Sequence, residues 1–217
     1  MNPPPSAPQT VPPLAVQTHT AGDANTPPPA VQIDKEARLA GFLRRRDKHE
    51  RAAFQLYGSA VTAARDPYLY ATLGVPDTLD GRFDAIVLHV YLLVRRLDAE
   101  PEPAPALAQA VFDAMFLDMD INLREMGVGD LSVGRRNRAM WEAFHGRSAA
   151  YAAAWQDVPR LQAALARNVW RGADPPAGSA AALARLAAAQ AAHLARQSLD
   201  TILRGEATFL APREAAQ

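Results

Sequence analysis

Four acidic side chains, Asp113, Asp118, Asp120 and Glu125, are followed across the tetrapeptide GVGD by three arginines, Arg135, Arg136 and Arg138. Carboxylates in this density could hold a metal ion or hydrolyse a bond by paired acid–base action. A metal site in a helical bundle also calls for a Glu-x-x-His pair, which the chain lacks. Its histidines, His19, His49, His89, His145 and His193, are scattered. Asp120 and Arg124 stand four apart and can pair with each other on a helix surface. Gly127 and Gly129 do not make a phosphate loop, because no strand precedes them, no third glycine follows and there is no Walker lysine. Ser59 and Ser148 lack a nucleophile-elbow context. His89 lies on an apolar helix and reads as a core histidine. The chain has no cysteine, which excludes disulfides, thiolate metal sites and a cysteine nucleophile. No catalytic set, metal site or cofactor is expected.

What remains is a charged corner. A helix ending at Met126 wants a left-handed cap residue, and Gly127 supplies it without a Cβ penalty. Asp130 or Ser132 is expected to cap the next helix. Gly129 leaves backbone accessible beside that helix's positive N-terminal end. Arg135, Arg136 and Arg138 oppose the helix dipole there, and Arg147 follows further along. Two readings stay open for these arginines. Asp118 or Glu125 folds back across the elbow to pair with them, or they face a partner.

The elements that position this corner are helices. Phe83, Ile86, Val87, Val90, Val94 and Leu97 recur at helical spacing, with Leu88, Leu92 and Leu93 widening the stripe, so this helix should lie centrally in a core. Phe112, Phe116, Met119, Leu123 and Met126 mark a helix over 107–126. Val133, Met140, Phe144, Tyr151 and Trp155 mark the core side of the helix after the elbow. Asp157-Val158-Pro159 opens a shorter helix, and an Ala-rich helix is expected from Ser179 to Leu203. Ahead of these, Asp34 can cap a helix through Val61, and Pro67 to Val75 reads as a short aromatic turn of helix. No stretch alternates at period two, so the spacing predicts an all-α fold, a single compact domain of six to seven helices over 34–212. Residues 1–33 hold nine of the chain's eighteen prolines and one charge, Asp23, and are expected to be a disordered tail.

Charge bounds the partners. The 217 residues carry 23 basic and 23 acidic side chains, a balance that argues against DNA as a partner. Between Asp34 and Arg51, seven Lys and Arg face four acids, and Arg44, Arg45, Arg46, Lys48 and Arg51 form a secondary basic surface. Such a face can rest on anionic lipid or ribosomal RNA, or be a solvated, salt-bridged helix. The start of the chain has no secretory-signal pattern and no apolar run reaches a membrane span, so a cytoplasmic protein, at most peripheral to the inner membrane, is expected. Heavy arginine and alanine use suits a GC-rich bacterial genome.

The segments FDAIVLHVYLLVRRL, LAQAVFDAMFLDMDINLREMGVGDLSVGRRNRAMWEAFHGRSAAYAAAW and LARNVW together resemble the ubiquinol–cytochrome c chaperone family, over roughly Tyr57 to Trp170 and more loosely to Phe209. One departure stands at Gly134-Arg135, where the family pattern has proline and lysine, so the helix start loses a rigid residue. The resemblance implies a non-enzymatic, all-helical assembly chaperone that binds newly made cytochrome b and promotes assembly of the cytochrome bc1 complex. It also implies a ribosome or inner-membrane surface and a small partner subunit as further partners. The positions matching the family motif are Asp118, Asp120, Arg124, Glu125, Met126, Gly127, Val128, Gly129, Asp130, Arg135, Arg136, Phe144, Gly146, Arg147 and Tyr151, and Arg138 joins them as partner-binding. Met126 and Val128 would hold a transmembrane segment while the arginines meet its polar flanks. The competing reading is a helical metal- or haem-binding enzyme that uses the acidic helix 107–126.

Overall fold

The computed structural model of the chain describes residues 35–215, with side chains from residue 49 onward. The expected tail, residues 1–33, and the capping role of Asp34 lie outside the described residues. So do the side chains of Arg44, Arg45, Arg46 and Lys48, while Arg51 is exposed. Among the described residues there are eight α-helices, one π-helical turn and no strand. The helices are α1 Lys35–Ala64, α2 Leu79–Asp98, α3 Ala104–Glu125, α4 Asp130–Ala154, α5 Val158–Val169, α6 Ser179–Arg196, α7 Leu199–Leu203 and α8 Pro212–Ala215, with the π turn at Tyr68–Thr72.

The all-α expectation is met, and α2 is the hub. Thirteen of its twenty residues are buried, so it has no solvent face to speak of, and α3, α4, α5 and α6 all pack on it. Its start is fixed twice. Thr78 Oγ1 accepts a hydrogen bond from the Gly81 amide at 3.1 Å. A Cβ on Gly81 would sit 2.0 Å from the Pro76 carbonyl oxygen, so only glycine lets the loop before α2 lie against its first turn.

Two boundaries differ from the periodicity. α3 begins at Ala104, three residues before the expected start, because Pro105 falls in the first turn, where a missing N–H costs nothing. The single helix expected from Ser179 to Leu203 breaks after Arg196, where Gln197 turns extended. The cause is tertiary. The Gln197 side chain donates to the Thr208 carbonyl and accepts from the Thr208 amide, both at 2.9 Å. Gln190 makes the same pair of bonds with Leu210, both at 2.8 Å. The returning segment 208–210 thus has its backbone satisfied by two glutamine amides. This break and the short α8 account for more helices than the expected six to seven.

α3 and α4 form an antiparallel hairpin. Phe112 packs edge-on to Phe144 with centroids 5.0 Å apart and lies 4.7 Å from Phe116. No helix among the described residues is long and apolar enough to cross a membrane.

Candidate functional site

The elbow between α3 and α4 closes as its sequence predicts. Gly127 is left-handed at φ +77. Its amide bonds to the Arg124 carbonyl at 2.9 Å, and the Val128 amide reaches the Leu123 carbonyl at 3.1 Å, a Schellman closure. No atom lies within 4 Å of a Cβ built on Gly127, so backbone conformation alone requires glycine. Gly127→Ala is accordingly expected to cost about 1–2 kcal/mol in denaturant unfolding, with the loss confined to the hairpin in hydrogen exchange.

The start of α4 differs from expectation. Neither Asp130 nor Ser132 caps it, because Gly129 occupies the cap position and only its carbonyl engages, accepting from the Ser132 and Val133 amides. Asp130 is instead the first helical residue and pairs with Arg124 at 2.5 Å. Arg124 also holds Asp120 at 2.6 Å, and Asn137 donates to Asp120 at 2.6 Å. The Arg124 guanidinium holds the Asp120 carboxyl below the usual range. The ion pair across the elbow therefore runs from an α3 arginine to an α4 acid, the reverse of the pairing that was one of the two readings of the arginines. Asp118 is occupied elsewhere, accepting from the Tyr57 hydroxyl at 2.7 Å.

Beside the elbow, between the start of α2, the second half of α3 and the middle of α4, lies an open cleft of about 600 Å³. Phe83, Ile86, Met119, Leu123, Met126 and Met140 give it an apolar surface. Five arginines, Arg65, Arg82, Arg136, Arg147 and Arg171, edge it against two aspartates, Asp80 and Asp118, so its rim is basic. An apolar hollow with a few convergent charges is the usual form of a binding site.

Of the expected contact residues, the cleft brings together Asp118, Met126, Arg136 and Arg147. Gly127, Val128 and Gly129 form the elbow at its end, and Met126 is 53 % exposed. Asp120, Arg124 and Asp130 act as the clamp on the hairpin. Arg138 pairs with Glu142 at 3.0 Å, and Arg135 reaches Ser132 Oγ at 3.4 Å. Glu125 and Gly146 are exposed.

Two expected contacts are corrected. Phe144 is buried against Phe112, and Tyr151 is 0 % exposed, so neither can touch a partner. Both sit on the core side of α4, where their helical spacing also places them. Arg147 is corrected in part. It lines the cleft, but its guanidinium is spent on Asp84 at 2.7 Å.

Asp84 is what the elbow-centred reading missed, together with the α2 wall, Arg65 and Arg171. It lies in the buried stripe of α2 with no exposed surface, held by Arg147 from α4 and by Arg171 Nε at 2.7 Å. Arg171 also reaches Asp80 at 3.0 Å, and it stands at a positive φ of 53 just past the end of α5. Burial raises the Asp84 carboxyl above its usual value by more than the two guanidinium groups lower it. The signal was present, since a carboxylate inside an apolar stripe must have a partner.

The acids of α3 do not converge. Asp113 accepts from Gln109, Asp118 from Tyr57 and Asp120 from Arg124. Among the described residues no three His, Asp or Glu side chains are grouped to hold a metal.

Comparison with known proteins bears on the same region. No curated protein matches the chain. The crystal structure of the Cbp3 homologue from Brucella abortus is similar, with 32% sequence identity and a TM-score of 0.71 over 82% of this chain and 98% of that one. A family model described as ubiquinol-cytochrome C chaperone matches residues 71–209, a span that contains α2, the elbow and Asp84 with both its arginines. With all but Arg65 of the cleft inside that match, the chain belongs to the ubiquinol-cytochrome C chaperone family.

Proposed function

We propose that this chain is a non-enzymatic assembly chaperone that holds newly made cytochrome b for incorporation into the cytochrome bc1 complex, with the cleft and the adjoining elbow as its client-binding site. The observation that carries this reading is the open, apolar, arginine-rimmed cleft on the α2–α3–α4 face, within a chain of a chaperone family. Exposed apolar surface is costly to keep unless something covers it. Met126, 53 % exposed, carries that surface to the edge of the elbow. The scaffold beneath is independently braced by the Asp84 pairs, so the cleft can stay open without a client. The reading also places the protein in the cytoplasm, at the ribosome or inner-membrane surface, with Arg44 to Arg51 as a second contact.

A photo-crosslinker at Met126, or at Val128 beside it, is expected to capture cytochrome b in cells. Gly129→Leu should abolish capture while leaving the helical spectrum intact. Gly129 has an ordinary backbone conformation, and nothing lies within 4 Å of its built Cβ, so leucine obstructs only the surface. Arg135→Glu/Arg136→Glu should do the same, since acids near a helix start favour the fold. Undiminished capture by both variants would remove the elbow from the site.

A further inference from the structure

Resting on the reading of the cleft as the client site, we infer that the segment it takes is an apolar helix of about three turns whose ends carry acidic residues. Arg136 and Arg147 are eleven positions apart on α4, so this wall of the cleft runs for about 16 Å, the length of a short helix laid in a groove. Met119, Met126 and Met140 contribute three unbranched thioether side chains to the surface. Such side chains adapt to apolar partners of different shape rather than to one fixed ligand.

The charges decide the flanks. Arg82 is matched by Asp77 at 2.6 Å, and Arg147 and Arg171 share Asp84. Arg65 and Arg136 have no acidic partner among the described residues, and both are exposed. The remaining acid of the cleft, Asp118, accepts from the Tyr57 hydroxyl, a neutral donor, and so offsets one of these two arginines, leaving a surplus of one positive charge. A net positive rim beside an apolar surface attracts carboxylates and repels lysine. Membrane segments carry their Lys and Arg surplus in the loops that stay on the insertion side. The rim repels those flanks and selects segments bordered by Asp or Glu. This complementarity commits the cleft to an acidic, apolar stretch of polypeptide.

Three labelled peptides of about fourteen residues, sharing one apolar helical stripe and ending in Glu, Gln or Lys, test this by fluorescence anisotropy with the full chain. The Glu peptide is expected to bind about tenfold tighter than the Gln peptide, and the Lys peptide weakest, with the gap closing as salt rises. Arg65→Gln/Arg136→Gln should erase the Glu-over-Gln gap, its circular dichroism matching the parent. Equal binding of Glu and Gln peptides by the parent overturns the inference, as does a gap that survives the double variant. Retention of the parent but not the variant on phosphatidylglycerol vesicles, without peptide discrimination, would assign the rim to lipid and overturn it too. If the crosslinker at Met126 still captures cytochrome b while the peptides do not discriminate, the charge preference alone fails. If no peptide binds and nothing is captured, the client reading fails with it.

Discussion

Truncation of Asp84 to alanine is expected to lower the free energy of unfolding by about 3–5 kcal/mol, because it leaves two guanidinium groups facing a buried void. Arg147 bears most of this, since its side chain is only 12% exposed and its Nε already lacks a hydrogen-bond partner. Arg171, at 41%, can turn to water and keep Asp80. Asp84→Asn should cost much less, for it preserves shape and one acceptor oxygen. The two variants together separate charge from packing. They also define a pH dependence whose sign follows from the raised carboxyl. The folded chain holds the Asp84 proton to a higher pH than the unfolded chain, whose ordinary value is near 3.8. Stability contributed by that proton is full below 3.8 and is lost as pH rises through the raised folded value. The parent should therefore lose stability relative to Asp84→Asn as pH climbs across that interval, which chemical denaturation at a series of pH values would measure. A flat difference would contradict the raised carboxyl.

The second large effect belongs to Tyr151. Its ring is fully buried and meets Tyr91 edge-on with centroids 5.5 Å apart. Tyr151→Ala is expected to cost about 3–5 kcal/mol, as removal of a core aromatic does. Tyr151→Phe should instead be neutral or stabilising by up to about 1 kcal/mol, because the hydroxyl is buried without a hydrogen-bond partner in the protein. Burial likewise raises its ionisation above the usual tyrosine range. The pair distinguishes a core residue from a client contact. Were Tyr151 a contact, the phenylalanine variant would lose capture at unchanged stability. Urea midpoints and cytochrome b capture, measured on both variants, read the two possibilities separately.

What the sequence conveyed was whatever is written in local periodicity. α2 announced its central place through the run from Phe83 to Leu97, and Gly127 announced a left-handed cap because few other residues adopt that conformation cheaply. The same spacing set Phe144 and Tyr151 on the core side of α4, although matching them to a family motif also suggested a surface role. Burial resolves that conflict in favour of packing. Long-range pairing was not legible. Nothing near Arg147 indicates that its partner is 63 positions earlier, and nothing near Gln197, an adequate helix former, shows that Thr208 will pull it out of the helix. The cleft was illegible for another reason. It is a space left between three helices, edged in part by α2 residues that look like ordinary core, and a hollow has no residues of its own to read.

The position of Arg171 has a consequence for the order of synthesis. A chain made from its N-terminus completes α2, α3 and α4, and with them most of the hollow, seventeen residues before the second arginine on Asp84 is added. Until then Arg147 alone compensates the carboxylate. A product terminated within α5 would retain the groove residues of these helices but lack the second arginine on Asp84. The turn after α5 therefore supplies the second counter-charge to Asp84 only after the helices that carry the groove are complete.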